Sequence, residues 1–475
     1  MTLPPPLSHA RLDSLPAAAR LYIRHLEAFA AGLSAQAEAL TARVAELEAK
    51  LDQNSSNSSR PPSSDGPRHK RAVPRAESQR RRGGQPGPPQ HERVILPPDQ
   101  TIDHKPSRCR RCDATLAGDD PDPLIDQVID LPEVMRHVTH HRRHTLTCPR
   151  CHAQTTADSV PEAARGFGPK LQAATAYLSG VGRLGKRAIA VLFADLCDIP
   201  MATGSVSKLE ARTSAALQAI HDEASGHARG LDANVDETGW KQGPQKAWLW
   251  VAVTKSVTVF LLRRRRDRRA FDELVGATPG VLTTDRFAVY THLRNDRRQV
   301  CWAHLRRDFQ AMIDRRDRGS GLGSELLMYA DILGDHWPKV RDGTRTRAWF
   351  RRMILPWLRE EVGQLLDAGS RCDGVKTAGV CREPLAIEPS LWTFASRPGV
   401  EPTNNAAERA VRHAVCWRKT SYGTDSERGS RFVERMLSVV ASCRSQGRDV
   451  MRFLRQAITA SQGQSRRPSL LPQGA

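Results

Sequence analysis

The stretch Gly230–Lys255, GLDANVDETGWKQGPQKAWLWVAVTK, contains the pattern that decides the fold of this chain. Residues 231, 233 and 235 are apolar and alternate with polar residues, so an extended strand would separate the two sets onto opposite faces. A polar turn follows, and Ala247–Val253 predicts a second strand that pairs with the first in a hairpin. Asp236 lies near the end of the first strand, on the face away from Glu237. A partly desolvated carboxylate there needs a cation or hydrogen-bond donors, so Asp236 is the first candidate site residue.

A second acid follows a second buried strand. Val257–Leu262 predicts a third strand, residues 269–276 a helix, and Gly280–Asp285 a short apolar strand that ends in an acid. A right-handed crossover would place this last strand parallel to the first and bring Asp236 and Asp285 together. Two facing carboxylates are hard oxygen ligands suited to Mg²⁺ or Mn²⁺. Structural acids at strand ends are common, so the pair alone leaves a purely structural role open.

A third acid lies far downstream, in the segment EPTNNAAERAVR at residues 401–412. Pro402 and the two asparagines predict the start of a helix, with Glu408 in its first turn. Asn405 as N-cap with Glu408 three residues later would form a capping box. Glu408 could instead join the two aspartates, and the spacing leaves both interpretations open.

Composition limits the function classes. The chain has 475 residues, enough for about two to four domains with their own cores. A net charge of +20 and a pI near 10.1 favour a polyanionic partner, while the length argues against a small ribosomal or histone-like protein. The chain has ten cysteines, and four of them in CxxC pairs indicate metal ligands in a reducing compartment. With no long apolar run and no signal-peptide pattern, we expect a cytoplasmic protein without membrane contact.

The amino-terminal region has a heptad repeat, with Leu26, Leu33, Leu40 and Leu47 at one seam position. It predicts a coiled coil that joins two or more copies of the chain, although a single amphipathic helix would have the same pattern. Residues 53–93 are rich in Ser, Pro, Gly and Arg and predict a flexible basic linker. The linker's arginines suit phosphate contact or mere solvation equally well.

Two CxxC knuckles follow the linker. Cys109, Cys112, Cys148 and Cys151 supply the four thiolates that close a structural zinc site, here one Zn²⁺ in a zinc ribbon. Strand-like segments at residues 124–131 and 134–146 lie between the knuckles. His144 or His152 could replace one of the cysteines. Arginines beside the knuckles suggest contact with DNA, and a zinc-stapled spacer is the alternative.

Residues 160–228 have a helical pattern with a break at Asp198–Thr203. This arrangement resembles a helix-turn-helix, in which Ser205, Ser207 and Lys208 at the start of the second helix would enter a major groove. A plain helical bundle is the alternative.

Four motifs together resemble the transposases of the insertion-sequence-66 family. They are NVDETGW at 234–240, TTDRFAVY at 283–290, CWAHLRRDF at 301–309 and TNNAAERAVR at 403–412, the last followed by Trp417-Arg418-Lys419. The heptad helix, the linker and the paired CxxC module also occur in the family's order. The resemblance implies an α/β protein with a ribonuclease-H-like catalytic core and an Asp-Asp-Glu triad, carried here by Asp236, Asp285 and Glu408. Arg286, Phe287 and Thr403 depart from the family's usual motifs, which puts local loop geometry in doubt and leaves the three acids in place.

These patterns divide the chain into six predicted segments: a coiled coil at 1–52, a linker at 53–93, a zinc module at 94–157, a helix-turn-helix-like region at 160–228, a catalytic core at 229–425 and a carboxy-terminal helix with a flexible tail at 426–475. Residues 310–395 would form a helical insertion within the core. Its tryptophans, at 337, 349, 357 and 392, are expected to pack inside it.

The leading hypothesis is a transposase that cuts double-stranded DNA at the element's terminal repeats and joins the freed 3'-hydroxyl to target DNA. Two Mg²⁺ or Mn²⁺ ions about 3.5–4 Å apart would serve both steps. Candidate phosphate contacts, each equally interpretable as an ordinary surface charge, are His304, Arg306, Arg307, Arg409, Arg412, Arg418 and Lys419. We expect association with the bacterial nucleoid, a homodimer or higher oligomer, and small accessory proteins of the same element as possible partners. The alternatives are a zinc-containing DNA-binding regulator with an inactive core and a ribonuclease-H-type nuclease without strand transfer.

Overall fold

The computed structural model describes residues 15–51, 95–130, 136–159, 166–277, 279–315 and 318–472. The predicted linker at 53–93 lies outside these residues. The chain divides into two compact units. One comprises Met1–Ala72, Pro169–Arg183 and Leu209–Ala475, and the other comprises Val73–Gly168 and Leu184–Lys208.

The heptad region forms one helix, α1 (Ala17–Leu51). Its seam leucines are open to solvent, with exposed fractions of 48% for Leu26 and 66% for Leu40. Since exposed leucines in register along a helix are unfavourable in water, α1 has an apolar stripe that is free to contact another helix.

The smaller unit contains little regular structure around the CxxC knuckles. Strands β1 (Thr145–Thr147) and β2 (Gln154–Thr156) form an antiparallel pair on either side of the second knuckle. The strand predicted at 124–131 is wrong for residues 124–130, and most of the described part of the segment at 136–146 is not strand either. Leu124 and Val128 are 100% and 91% exposed, so among the described residues their side chains have no apolar surface to pack against.

Helix α2 (Pro169–Gly180) lies in the larger unit, and α3 (Lys186–Cys197) lies in the smaller one. Asp198 adopts the left-handed conformation that ends α3, and its N–H donates to the carbonyl of Phe193. Helix α4 (Thr203–Ala228) then begins, and the boundary between the units falls within it. The predicted helix, break and helix of residues 186–228 are therefore present.

The core of the larger unit is a mixed five-stranded sheet. Its strands are β3 (Ala233–Gln242), β4 (Gln245–Val253), β5 (Thr258–Arg263), β6 (Leu282–Thr284) and β7 (Arg298–Val300). Their spatial order is β5-β4-β3-β6-β7; β3, β4 and β5 are antiparallel neighbours, and β6 and β7 run parallel to β3. Helix α5 (Arg268–Val275) lies on the crossover from β5 to β6. The hairpin, the crossover helix and the parallel strand that the sequence predicts are all present.

Three helices follow the sheet in the chain and share its core: α12 (Asn405–Ser421), α13 (Glu427–Ser445) and α14 (Val450–Ser461). Buried residues of β3 and β4, such as Val235 and Trp250, belong to the same apolar cluster as Val411, Met436 and Phe453 of these helices. The sheet and α12 therefore form one continuous core, which fixes the position of this helix relative to β3.

Helix α13 covers the backbone of β5, an edge strand. The N–H groups of Thr258, Phe260 and Leu262 donate to Ser442 Oγ, Ser438 Oγ and Glu434 Oε2 at 3.0, 2.8 and 2.9 Å. The side chains recur every four residues along the helix and the N–H groups every two residues along the strand. These two repeats match, because four residues of helix advance about 6 Å and two residues of strand about 6.6 Å. These hydrogen bonds satisfy the exposed donors of the strand and block pairing with a foreign strand.

The segment between β7 and α12 is helical, as predicted. It comprises α6 (Trp302–Asp314), α7 (Ser320–Arg341), α8 (Arg347–Met353), α9 (Leu355–Ser370), α10 (Val375–Ala386) and α11 (Thr393–Ser396). These helices have a second apolar core, in which Trp337 and Trp392 are buried and against which Trp349 packs. Trp357 is 38% exposed but lies against Tyr329, with ring centroids 6.2 Å apart, so all four tryptophans pack within the insertion. In the described part of the chain, no helix combines the length and the apolar character that a bilayer crossing demands.

Candidate active site

Asp236 and Asp285 lie at the same edge of the sheet. Asn234 of β3 is in register with Thr283 of β6, and the two strands are parallel. Each aspartate comes two residues after this pair, so both acids emerge side by side, as the crossover predicted.

Asp236 is a partly buried acid among other acids. Burial raises its pKa well above the usual range, and the charges of Glu237, Asp285 and Glu408 raise it further. The N–H of Glu237 donates to its Oδ1 at 2.9 Å, which offsets part of this effect. Among the described residues, no Lys, Arg or His side chain forms an ion pair with Asp236 or Asp285.

Glu408 is held near this edge by the residues that precede α12. The side-chain amide of Asn404 donates to the carbonyl of Val235 at 2.7 Å, and that of Asn234 donates to the carbonyl of Thr403 at 3.2 Å. Asn404 is the N-cap residue, and its side chain makes no capping bond. Because the helix begins at Asn405, Glu408 is one position too late for a capping box, and that interpretation of Glu408 is wrong.

Helix α6 provides the other neighbours of Glu408. The N–H of Trp302, its first residue, donates to the carbonyl of Pro402 at 2.9 Å, which joins the start of α6 to the segment before α12. His304 Nδ1 and Arg307 Nη2 each lie 3.7 Å from Glu408 Oε1. Burial and the charge of Arg307 lower the pKa of His304 to about 4, so the ring is neutral at physiological pH. His304 and Arg307, predicted as phosphate contacts, therefore face the third acid.

Asp236, Asp285 and Glu408 offer the hard oxygen donors that divalent metal ions prefer. Their ligand oxygens do not all lie within 4.8 Å of one another, since the one such group among the described residues is Cys301, His304 and Glu408. A pair of ions about 3.5–4 Å apart needs a wider spacing of ligands than a single ion does. Among the described residues no cation pairs with Asp236 to offset the repulsion among the acids, and hard divalent ions would supply that charge.

A buried network next to Asp236 was not predicted from the sequence. The side chain of Glu237 is 1% exposed, accepts from Arg266 Nε at 2.8 Å and accepts from the hydroxyl of Tyr290. The Arg266 guanidinium also lies over the ring of Phe287, 3.5 Å from its centre. Alternation along β3 correctly turns Glu237 away from Asp236, but the sequence shows no sign that Arg266 and Tyr290 enclose it. This network fixes the strand end that carries Asp236.

Arg286, where the chain departs from the family motif, has a clear structural role. Its guanidinium donates to Asp308 Oδ2 of α6 at 2.7 Å and to Glu383 Oε2 of α10 at 2.9 Å. The N–H of Phe287 donates to Asp285 Oδ1 at 2.9 Å. The loop after β6 is thus tied to the helical insertion on one side and orients Asp285 on the other.

The remaining predicted DNA contacts divide into outward and inward side chains. Arg409, Arg412 and Lys419 are exposed on α12, and Lys208 is exposed near the start of α4, where Ser205 and Ser207 are half-buried. Arg418 instead donates to the carbonyl of Gly239 and to Thr238 Oγ1 in the β3–β4 hairpin. Arg306 pairs with Asp331 of α7. Arg418 is therefore engaged with the hairpin, whereas Arg306 forms an ion pair at the surface, where its side chain is 43% exposed.

Both CxxC knuckles have the same backbone geometry. The N–H of Cys109 donates to the carbonyl of Ala114, and the N–H of Cys148 donates to that of Ala153, each at 2.9 Å. Asp113 and His152 occupy equivalent positive-φ positions. Backbone N–H groups of each knuckle lower the pKa of Cys109 and of Cys148, which favours the thiolate. No three of the four cysteine sulfurs lie within 4.8 Å of one another. The two knuckles are therefore folded, but their sulfurs are not gathered into one four-ligand site.

Comparison with known proteins identifies the family. The model described as "Transposase IS66 family" matches residues 166–432, more than half of the chain. Residues 3–94 match a family of unknown function (DUF6444). The uncharacterized protein y4qI of Sinorhizobium fredii is 26% identical over 241 residues, which cover 45% of this chain and 43% of that relative. Because this family match covers the sheet, the helical insertion and α12, the chain belongs to the IS66 family of transposases.

Proposed function

We propose that this chain cuts DNA at the ends of a mobile element and joins those ends to target DNA, through a site made of Asp236, Asp285 and Glu408. The observation that carries the proposal is the arrangement of the three acids. Two emerge in register from neighbouring parallel strands, and the third starts a helix that Asn404 fastens to the first strand. The mixed sheet, with its helical insertion after β7, supports a ribonuclease-H-like core.

The three acids would hold two Mg²⁺ or Mn²⁺ ions, which when bound activate the attacking oxygen and stabilise the leaving oxygen of the scissile phosphodiester. The chain's own residues set the geometry. Asp236 is held by the Glu237 network and Asp285 by the Arg286 contacts, while His304 and Arg307 lie 3.7 Å from Glu408. Pre-positioning of this kind supplies much of the rate enhancement in phosphoryl transfer.

Several exposed cations lie along α12, the helix that carries Glu408. Arg409, Arg412 and Lys419 are available to the phosphate backbone of double-stranded DNA, whose charge makes such contacts strong at low salt. They would position the terminal repeat rather than read its sequence. Lys208, with Ser205 and Ser207, is proposed as the part of the helix-turn-helix-like region that reads the groove.

The front half is proposed to organise this chemistry. The open seam of α1 would pair with α1 of a second copy, giving a homodimer or larger assembly. The two knuckles, with Cys109, Cys112, Cys148 and Cys151, would close around one Zn²⁺, since each is preformed and favours thiolate. The segment boundaries 1–52, 53–93, 94–157, 160–228, 229–425 and 426–475 remain part of this proposal.

The test is a cleavage and joining assay. Purified full-length protein is incubated with labelled DNA that carries the element's terminal repeats, with target DNA and with Mg²⁺ or Mn²⁺. Wild type is compared with Asp236→Asn and with a matched control, Asp373→Asn, whose side chain is 91% exposed in the insertion. We expect cleaved and joined products from wild type and control and none from Asp236→Asn. Cleavage without joining would support a simple nuclease. If all three proteins bind DNA and none cleaves it, the chain is a regulator. Equal products from all three proteins would overturn the site assignment.

A further inference from the structure

Three potential metal ligands of different chemistry meet beside the proposed catalytic acids. They are the sulfur of Cys301, a ring nitrogen of His304 and a carboxylate oxygen of Glu408, and all three atoms lie within 4.8 Å of one another. Cys301 is the N-cap residue of α6 and His304 follows three residues later, so both side chains emerge from the first turn of this helix. Glu408 comes from the first turns of α12, and the contact between Trp302 and Pro402 holds the two helix starts together.

Two of these atoms are buried and make no hydrogen bond. His304 Nδ1 and Glu408 Oε1 lie 3.7 Å apart, both are closed to solvent, and neither has a hydrogen-bond partner among the described residues. A buried polar atom without a partner costs about 1–3 kcal/mol, so two of them facing each other require an explanation. At 3.7 Å the two atoms are too far apart for a hydrogen bond, whichever ring nitrogen carries the proton. A bound cation would satisfy both.

The sulfur completes a set that hard ions do not prefer. Cys301 is 0% exposed and accepts a hydrogen bond from the N–H of Asn404 at 3.1 Å. Thiolate and imidazole ligands select borderline or soft transition ions, above all Zn²⁺, over Mg²⁺. Metal–sulfur and metal–nitrogen bonds of about 2.3 and 2.0 Å bring neighbouring ligands of one tetrahedral ion to within about 4 Å of one another.

We propose that Cys301, His304 and Glu408 form a second transition-metal site, which binds one Zn²⁺-like ion at the junction of α6 and α12. Binding releases the thiol proton of Cys301 to solvent and leaves one coordination position for water or a substrate oxygen. Glu408 would then belong to both sites, with one carboxylate oxygen for each. The ion fixes the direction of Glu408, so that the catalytic carboxylate is set before DNA binds.

Arg307 is the competing partner of Glu408. Its Nη2 lies 3.7 Å from the same Oε1, too far for a hydrogen bond in this arrangement. If Arg307 closed on Glu408, it would repel a cation and leave His304 Nδ1 and Cys301 with no common ligand. The proposal therefore makes a distinct statement about Arg307: its removal leaves metal content unchanged.

The experiment measures metal directly. Full-length protein is stripped with a chelator and reloaded with Zn²⁺ or, as a spectroscopic probe, Co²⁺, whose thiolate charge-transfer band reports sulfur ligation. Variants Cys301→Ser and His304→Asn are compared with wild type and with Cys443→Ser, a second fully buried cysteine outside the site. Arg307→Ala and Asp236→Asn complete the series. Folding is followed by circular dichroism, and an anomalous difference map of wild-type crystals at the zinc edge gives an answer that needs no variant.

We expect Cys301→Ser and His304→Asn each to lose about one equivalent of metal and part of the cobalt band. Cys443→Ser, Arg307→Ala and Asp236→Asn should keep the wild-type amount. An anomalous peak beside Cys301 Sγ is expected in wild type. Unchanged metal content in both ligand variants, or a map without that peak, overturns the second site. Because Asp236→Asn destroys catalysis and spares this ion, the proposed function and the second site can fail independently.

Discussion

The side-chain amide of Asn404 donates to the carbonyl of Val235 across 169 positions of sequence, at 2.7 Å. Asn404 is 0% exposed and ends the loop before α12, while Val235 immediately precedes Asp236 in β3. This hydrogen bond, with that from Asn234 to the carbonyl of Thr403, therefore ties the helix that carries Glu408 to the strand that carries Asp236.

Asn404→Ala should lower the free energy of unfolding by about 1–3 kcal/mol, because it leaves the buried carbonyl of Val235 without its donor. DNA cleavage should fall further than stability alone explains, since Glu408 loses its registration with Asp236. Chemical denaturation and the cleavage assay measure the two effects. Asn405→Ala is the matched control, because Asn405 is exposed and follows in sequence. Equal effects from both asparagines would contradict the role assigned to Asn404.

Asp236→Asn should stabilise the metal-free protein at neutral pH while it abolishes cleavage. The pKa of Asp236 is raised in the folded state, so the folded protein binds its proton more tightly than the unfolded chain does. The wild-type protein therefore loses stability as pH rises from the pKa of Asp236 in the unfolded chain to its pKa in the folded protein, and the loss is complete above the folded pKa. The side-chain amide of the Asp236→Asn variant carries no charge, so the variant does not have this loss. Thermal melts at acid and neutral pH, without divalent ions, should show the variant's advantage at neutral pH only.

Added Mg²⁺ should make the wild-type protein more stable than the Asp236→Asn variant. The ions bind the folded wild type and raise its melting temperature, whereas Asp236→Asn has lost a ligand and gains less. Asp373→Asn should respond as wild type does. A wild-type melting temperature that is insensitive to Mg²⁺ and Mn²⁺ would count against metal binding by these acids.

The sequence was sufficient where chain-local patterns determine structure. Period two in residues 231–235, the crossover at 268–275 and the apolar strand before Asp285 predicted the parallel pairing that places Asp236 beside Asp285. The turns of the two knuckles are equally local, because the CxxC spacing fixes their backbone. These features depend on neighbours within a few residues.

What the sequence left open depends on contacts between distant segments. The sequence allows Glu408 to be a capping residue or a site residue, and the bond from Asn404 to β3, with no cap on α12, excludes only the capping box. Arg418 and Arg306 have the same chemistry as Arg409, yet their partners at Gly239 and Asp331 lie in other elements. Burial of Glu237 by Arg266 and Tyr290 is likewise a tertiary property. The catalytic and DNA-binding roles themselves remain predictions.

Two basic residues on α12 should behave differently in DNA binding. Arg412→Ala removes an exposed cation, so it should weaken binding to all sequences and reduce the salt dependence of the affinity by about one counterion. Arg418→Ala should lower the melting temperature instead, because its guanidinium holds the β3–β4 hairpin. Fluorescence anisotropy at several salt concentrations, combined with thermal melts, separates the two. A salt slope that changes for Arg418→Ala in a fully folded protein would show that Arg418 contacts phosphate.

Cys112→Ser should remove about one zinc per chain and destabilise the knuckle region. Cys372 lies outside any proposed site, so the Cys372→Ser variant should keep the wild-type zinc content. Metal analysis and limited proteolysis report the two results. A folded, protease-resistant front half in protein free of zinc would refute the shared zinc site.

Arg286→Ala should lower the free energy of unfolding by about 1–3 kcal/mol, since it leaves Asp308 and Glu383 facing each other without their common cation. Arg294→Ala is the control: its ion pair with Asp296 is on the surface, with an arginine side chain that is 81% exposed, and should contribute about 0–1 kcal/mol. Arg286→Lys keeps the charge but not the two-armed geometry, so it should recover part of the stability. Cleavage should follow the same order, because the loop that Arg286 ties to the insertion also orients Asp285 through the N–H of Phe287. If Arg286→Ala cleaves DNA as fast as Arg294→Ala, the insertion does not position the second acid.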